Sequence, residues 1–197
     1  MSPRRPTRTV PTVLLPGAGV GRGGQWQSWL ADHLTDAGRI VVSPKPAGHI
    51  LTDRVAALRA CLADFPDDGF DVVAHSVTCL LWLHHAATLA DSPDGPRPAR
   101  VALVAPPSPE QPMPPFESFY PVPLNIDAVR QAADGTVLVG GDQDPLCPEG
   151  VATAYGAPLK MATTVIPGAG HIDADAGFGP WPAVLDWCGR DNLAFIA

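Results

Sequence analysis

Three side chains of a kind that can act as a relay stand far apart in the chain: Ser76, Asp144 and His171. A Ser hydroxyl is a poor nucleophile until a neutral imidazole takes its proton. The imidazole in turn needs a carboxylate to fix its tautomer and to stabilise the imidazolium that forms. Histidine, with an unperturbed pKa of about 6.5, takes and returns a proton near neutral pH. Such a set supports acyl transfer through a covalent Ser ester, provided the fold brings the three together.

Ser76 stands where a β-type run passes directly into a helical pattern. Val72, Val73 and Ala74 read as the end of a buried strand, and Leu80, Leu81, Leu83 and Ala87 read as one side of a helix. A Ser on so sharp a strand-to-helix turn is lifted clear of the sheet edge, and the amide of Val77 points at the same spot. The frame Ala74-His75-Ser76-Val77-Thr78 replaces both glycines of the usual Gly-x-Ser-x-Gly elbow. Small side chains are needed two residues either side of the Ser, a demand that Ala74 meets easily and Thr78 marginally. Taken alone, the pentapeptide also fits a Ser that merely caps a helix.

The other two members follow strands as well. Gly135 to Val139 leads into Gly140-Gly141-Asp142-Gln143-Asp144-Pro145, where Asp144 or Asp142 supplies the carboxylate, and Ala162 to Ile166 leads into Pro167-Gly168-Ala169-Gly170-His171. Thr9 to Leu15, Arg39 to Ser43 and Arg100 to Ala105 read as further strands. Helical spacing begins at Gln25, recurs from Thr52 to Phe65, follows Val77 to about Ala90, and returns around 148–156 and from Trp181 to about Cys188. His84 and His85 on the third helix read as packing residues. This alternation predicts an α/β fold, an about six-stranded, mostly parallel sheet with right-handed crossovers and helices on both faces. Ligands bind such sheets at the carboxyl ends of the strands, where all three residues fall.

Two loops frame that end. Gly17, Gly19 and Gly21 alternate, without the Lys-Ser/Thr of a nucleotide-binding loop or a Gly-x-Gly-x-x-Gly opening onto a helix. Their better use is a backbone that approaches the elbow closely and lends amides to an oxyanion hole. The Pro-rich excursion 106–121 fits neither a regular helix nor a strand, and reads equally as a pocket wall or lid and as a mobile linker. Trp26, Phe116, Phe119, Tyr120 and Phe178 are the candidates for an apolar pocket lining.

Composition bounds the rest. With 197 residues, 46% of them hydrophobic, the chain suits one core. Residues 1–8 are expected to form a flexible arm and 9–197 one domain, with the loop or lid at 106–123. A net charge of -7 argues against a nucleic-acid partner. No run reaches the roughly 18 to 20 apolar residues of a membrane span, so a cytoplasmic protein without a membrane partner is expected. Cys61, Cys79, Cys147 and Cys188 are scattered with no Cys-x-x-Cys pair, which suggests neither a metal nor a redox cofactor. Oligomeric state is left open.

Several segments together resemble the small serine hydrolase family typified by retinoblastoma-binding protein 9 and YdeN-like bacterial proteins, which are minimal α/β-hydrolases. The matching segments are Leu15-Pro16-Gly17 with Gln25-Trp26-Gln27, Val73-Ala74-His75-Ser76, Asp144-Pro145-Leu146-Cys147-Pro148, and Gly170-His171-Ile172 with Gly177-Phe178-Gly179-Pro180-Trp181-Pro182. The order Ser, Asp, His is the one expected of that fold. The resemblance implies Ser76 as nucleophile, His171 as general base and acid, Asp144 as its orienting partner, and the amides of Val77 and Ala18 as oxyanion hole. The family pattern commonly has Gly where Thr78 stands, and its first loop is shorter. The activity implied is hydrolysis of a small carboxylic ester, thioester or activated amide through an acyl-enzyme. The rivals are an acyl-transfer or cyclising enzyme on the same residues, and a binding protein with a vestigial site.

Overall fold

The computed structural model describes residues 10–18, 25–44, 48–65, 69–91, 95–190 and 194–195. The arm expected at 1–8 and the Gly-rich stretch 19–24 lie outside the described residues. Strands β1 (Thr12–Leu15), β2 (Val41–Val42), β3 (Asp71–His75), β4 (Arg100–Val104), β5 (Gly135–Gly141) and β6 (Ala162–Ile166) form one sheet in the order β2-β1-β3-β4-β5-β6. Every neighbouring pair is parallel. The β-branched and aliphatic content of these segments suits strands covered on both faces.

The period of two along each strand divides the interior into two cores. Val13, Leu15, Val72, Ala74, Val101, Leu103 and Leu138 face one side, where α2 (Leu51–Leu62), α3 (Val77–Asp91) and α4 (Ile126–Ala132) cover them. Leu14, Val73, Ala102, Val104, Val137 and Val139 face the other, against α1 (Trp26–Asp36) and α6 (Pro182–Gly189). A shift of one residue in any strand would exchange the two sets, so register and helix placement specify each other.

Three elements differ from the sequence expectation. Helix α4 stands where no helix was expected; Asn125 caps it by accepting from the amides of Asp127 and Ala128, both at 3.0 Å. β2 is shorter than Arg39 to Ser43, and the buried Arg39 guanidinium bonds the Val10 carbonyl, the Thr12 hydroxyl and the Cys188 carbonyl. The helical piece around 148–156 is a π-helical turn, Ala152–Gly156, running into the short α5 (Ala157–Leu159).

The amino end of the sheet is locked by charge. Asp71, fully buried, takes two bonds from Arg100, at 2.6 and 3.1 Å. Arg100 also reaches the carbonyls of Trp187 and Arg190 and so ties α6 to the strands. Among the described residues no helix is long and apolar enough to cross a membrane.

Candidate active site

β3 ends at His75 and α3 begins at Val77, so one residue, Ser76, must turn the chain. It does so with φ of 59°, in the left-handed region that non-Gly residues rarely enter. The surroundings hold it there: its amide donates to the Val104 carbonyl of β4 at 2.9 Å, and its carbonyl accepts from Cys79 at 2.9 Å. Val77 opens α3, so its amide has no intrahelical acceptor.

Thr78 fits the elbow because its hydroxyl is used. It donates to the Leu15 carbonyl at the end of β1 (2.5 Å), lies 2.8 Å from the His75 carbonyl, and accepts from the His75 amide at 3.1 Å. On the far side of the Ser, Gly17 is pressed so close that a Cβ there would stand 2.9 Å from Ser76 Cβ and 3.0 Å from His75 Nδ1. The segment Pro16-Gly17-Ala18 is thereby laid against Ser76.

The loops after β5 and β6 meet beside it. Gly141 lets them close, since a Cβ there would stand 2.2 Å from the Gly170 carbonyl oxygen. The Gly170 amide donates to the Asp142 carbonyl at 3.2 Å, and the Asp142 carboxylate bonds the Gly168 amide. Asp142 therefore braces the loop from below, and Asp144 is the carboxylate that faces the imidazole. Asp144 Oδ2 lies 2.9 Å from His171 Nδ1, and its Oδ1 accepts from the Leu146 amide at 2.8 Å. Because a carboxylate accepts, the proton sits on Nδ1. His171 Nε2 is then free to accept from Ser76 Oγ, 2.9 Å away.

A second histidine lies behind the first. Burial, and next the charge of His171, push the His75 pKa down to about 4, so its ring is neutral near pH 7. Its Nε2–H donates to the His171 carbonyl at 3.1 Å. Trp26 stands edge-on to His75 and to Trp181, and its Nε1–H donates to the Ile172 carbonyl at 2.8 Å. Two successive carbonyls, those of His171 and Ile172, are thus held from the interior. In the sequence His75 is the unspecified residue of the elbow motif, and its place at the end of the apolar run Val72-Val73-Ala74 is the one signal of an interior role.

Of the five residues expected to line a pocket, Phe116 is the one that lines the described cavity beside the elbow. A cavity of about 350 Å³ opens beside Pro16-Gly17-Ala18, bounded by Leu58, Thr78, Leu81 and Phe116 among others. Trp26 and Phe119 are fully buried and do not line this cavity; Trp26 braces the His171 loop instead. Phe178 packs edge-on against Trp181, with centroids 5.4 Å apart. Tyr120 is half-buried against the first core and does not line the cavity. The excursion is a packed wall: Phe116 and Phe119 are buried, His84 Nε2 donates to the Phe119 carbonyl at 2.7 Å, and Ser118 Oγ accepts from the Leu51 amide at 3.1 Å.

The cavity also holds two polar residues that sequence reasoning missed, His49 and Arg54. Arg54 shares the spacing of Leu58 and Leu62, one and two turns further along α2, and all three are buried. That shared spacing was the available signal. Among the described residues no group of three His, Cys, Asp or Glu side chains is arranged to hold a metal ion.

The family profile described as serine hydrolase matches residues 12–189. Among solved structures, the chain is similar to the ydeN gene product of B. subtilis, with 19% identity, a TM-score of 0.73, and 90% of this chain and 96% of that one covered. It is similar to a YdeN-like hydrolase of Pectobacterium atrosepticum, with 24% identity, a TM-score of 0.69, and 90% and 88% covered. A thermostable esterase of Pseudomonas putida matches at 15% identity and a TM-score of 0.60, with 94% and 73% covered. Among curated proteins none matches this sequence.

Proposed function

We propose that this chain, which belongs to the serine hydrolase family, cleaves a small carboxylic ester, thioester or activated amide through an acyl-enzyme on Ser76. The observation that carries the reading is the unbroken path Ser76 Oγ to His171 Nε2 and His171 Nδ1 to Asp144 Oδ2, each step 2.9 Å.

In this reading Ser76 Oγ bonds to the substrate carbonyl carbon as its proton passes to His171 Nε2. The carbonyl π pair moves to oxygen, where the amides of Val77 and Ala18 stabilise the developing charge. Asp144 keeps the proton on Nδ1 and offsets the imidazolium charge without itself becoming protonated. Collapse of the tetrahedral species breaks the bond to the leaving group, which takes the Nε2 proton. Water then repeats the sequence on the acyl-Ser76 ester and releases the acid.

The decisive experiment treats the folded protein with a fluorophosphonate and locates the adduct by mass spectrometry. Labelling at Ser76 that is lost in His171→Ala is expected, together with hydrolysis of short acyl esters that disappears in Ser76→Ala. A protein that takes no label, or a Ser76→Ala variant that hydrolyses these esters as before, would overturn the reading.

A further inference from the structure

Among the described residues, the cavity beside the elbow carries one permanent cation that the fold leaves unbalanced. Arg54 is only 9% exposed. Its Nε–H donates to the Gly48 carbonyl at 2.7 Å, and its guanidinium carbon stands 5.1 Å from the centroid of the Phe116 ring. Among the described residues it forms no ion pair, and neither Asp nor Glu lines the cavity. A buried cation without a counter-charge is costly. With Nε committed to Gly48 and the guanidinium carbon over the Phe116 ring, the two Nη groups remain for a ligand.

The planar guanidinium fork matches a carboxylate in two parallel hydrogen bonds. We propose that the substrate's acyl part ends in a carboxylate held by Arg54, so that the enzyme acts on a half-ester, half-thioester or half-amide of a short dicarboxylic acid. The inference rests on the serine hydrolase reading above and adds to it the substrate class.

The side of the site decides which half of the substrate bears the charge. The cavity is lined by Gly17 and Ala18 of the loop proposed to donate to the oxyanion, and by Thr78 and Leu81 of α3. No residue of the Asp144 or His171 loops lines it. The leaving group must depart past His171 Nε2, so the cavity receives the acyl part. Its volume of about 350 Å³ lies near the lower end of ligand pockets and suits a short chain. One guanidinium balances one carboxylate, whereas a phosphate monoester carries about -1.5 to -2 at pH 7.

The test compares monomethyl glutarate with methyl valerate, esters of equal acyl length that differ in the terminal carboxylate. Wild-type kcat/KM is expected to favour monomethyl glutarate by about tenfold to a hundredfold, as for a hydrogen-bonded charge pair. In Arg54→Gln the ratio should fall to near one, with Arg54→Lys in between. A ratio near one in the wild-type protein, or an unchanged ratio in Arg54→Gln, overturns the proposal.

Binding separates this inference from the catalytic reading. In calorimetry, Ser76→Ala is expected to bind monomethyl glutarate and to lose at least about tenfold in affinity when Arg54→Gln is added. This result would stand even if Ser76 proved unreactive; an absence of binding would count against the dicarboxylate alone. If Arg54→Gln does not fold, protection of wild-type Ser76 from fluorophosphonate decides. Protection by glutarate but not by valerate supports the proposal, and equal protection by the two overturns it.

Discussion

The hydroxyl of Thr78 stands 2.5 Å from the carbonyl oxygen of Leu15, joining the first turn of α3 to the end of β1 across the elbow. The commoner Gly at this position has no such tie. The larger residue fits because its polar atom is satisfied on both the donor and the acceptor side. Replacing it with Val keeps the shape and strands the Leu15 carbonyl, so Thr78→Val is expected to cost about 1–3 kcal/mol. Thr78→Ser should retain most of the stability. Urea midpoints of the two variants check this; equal midpoints would mean the hydroxyl adds nothing.

Gly17 is the other contact that shapes the elbow. In Gly17→Ala the new methyl must displace Ser76 Cβ or its own loop, since the two carbons would be 2.9 Å apart. Either movement draws the Ala18 amide away from the carbonyl position. We expect kcat to fall by about 10²–10³, as on removal of an oxyanion donor, while far-UV dichroism stays native. Undiminished turnover of a short ester by this variant would remove Ala18 from the proposed hole.

Asp71 sits at the other end of β3, five residues from Ser76 and about 16 Å away at the usual strand rise. Its loss removes the buried carboxylate that the Arg100 and Arg39 guanidinium groups both face. Asp71→Ala is expected to destabilise the fold by about 3–5 kcal/mol. The fraction that remains folded should label at Ser76 at the wild-type rate. A change in Cm of less than a few tenths molar urea would show that the cluster is better solvated than its burial indicates.

Two buried histidines make stability depend on pH. Burial holds both His75 and His85 near a pKa of about 4, with His171 and Arg59 respectively adding to the effect. In the unfolded chain each titrates near 6.5. Between these values the unfolded state binds more protons, so stability present above about pH 6.5 is lost progressively as pH falls toward 4. Denaturant midpoints from pH 7 to 5 should decline with a slope approaching two protons. His85→Leu should reduce that slope toward one, and an unaltered slope would place the titration elsewhere.

Much of this protein is decided locally. The alternation of apolar strands and amphipathic helices determines a parallel, doubly covered sheet, because a strand hidden on both faces must be apolar along its length and the crossover must be long. The position of Ser76 is local too, since an abrupt change from period 2 to period 3.6 leaves one residue to make the turn. Helix α4 escaped notice because its two-turn apolar face is short and its main signal is a single Asn cap.

What the sequence left open concerns groups that meet only across the fold. Asp142 and Asp144 are equivalent as residue types; pairing of Gly170 with Asp142 after β6 docks on β5 is what turns Asp144 toward the imidazole. The aromatic residues divided the same way. Hydrophobicity marks Trp26, Phe116, Phe119 and Phe178 alike for burial, but only the packing of α2 against the 106–121 wall puts Phe116 at a cavity and Trp26 behind a histidine. Arg54 is the extreme case, because its charge predicts exposure and only the tertiary structure encloses it.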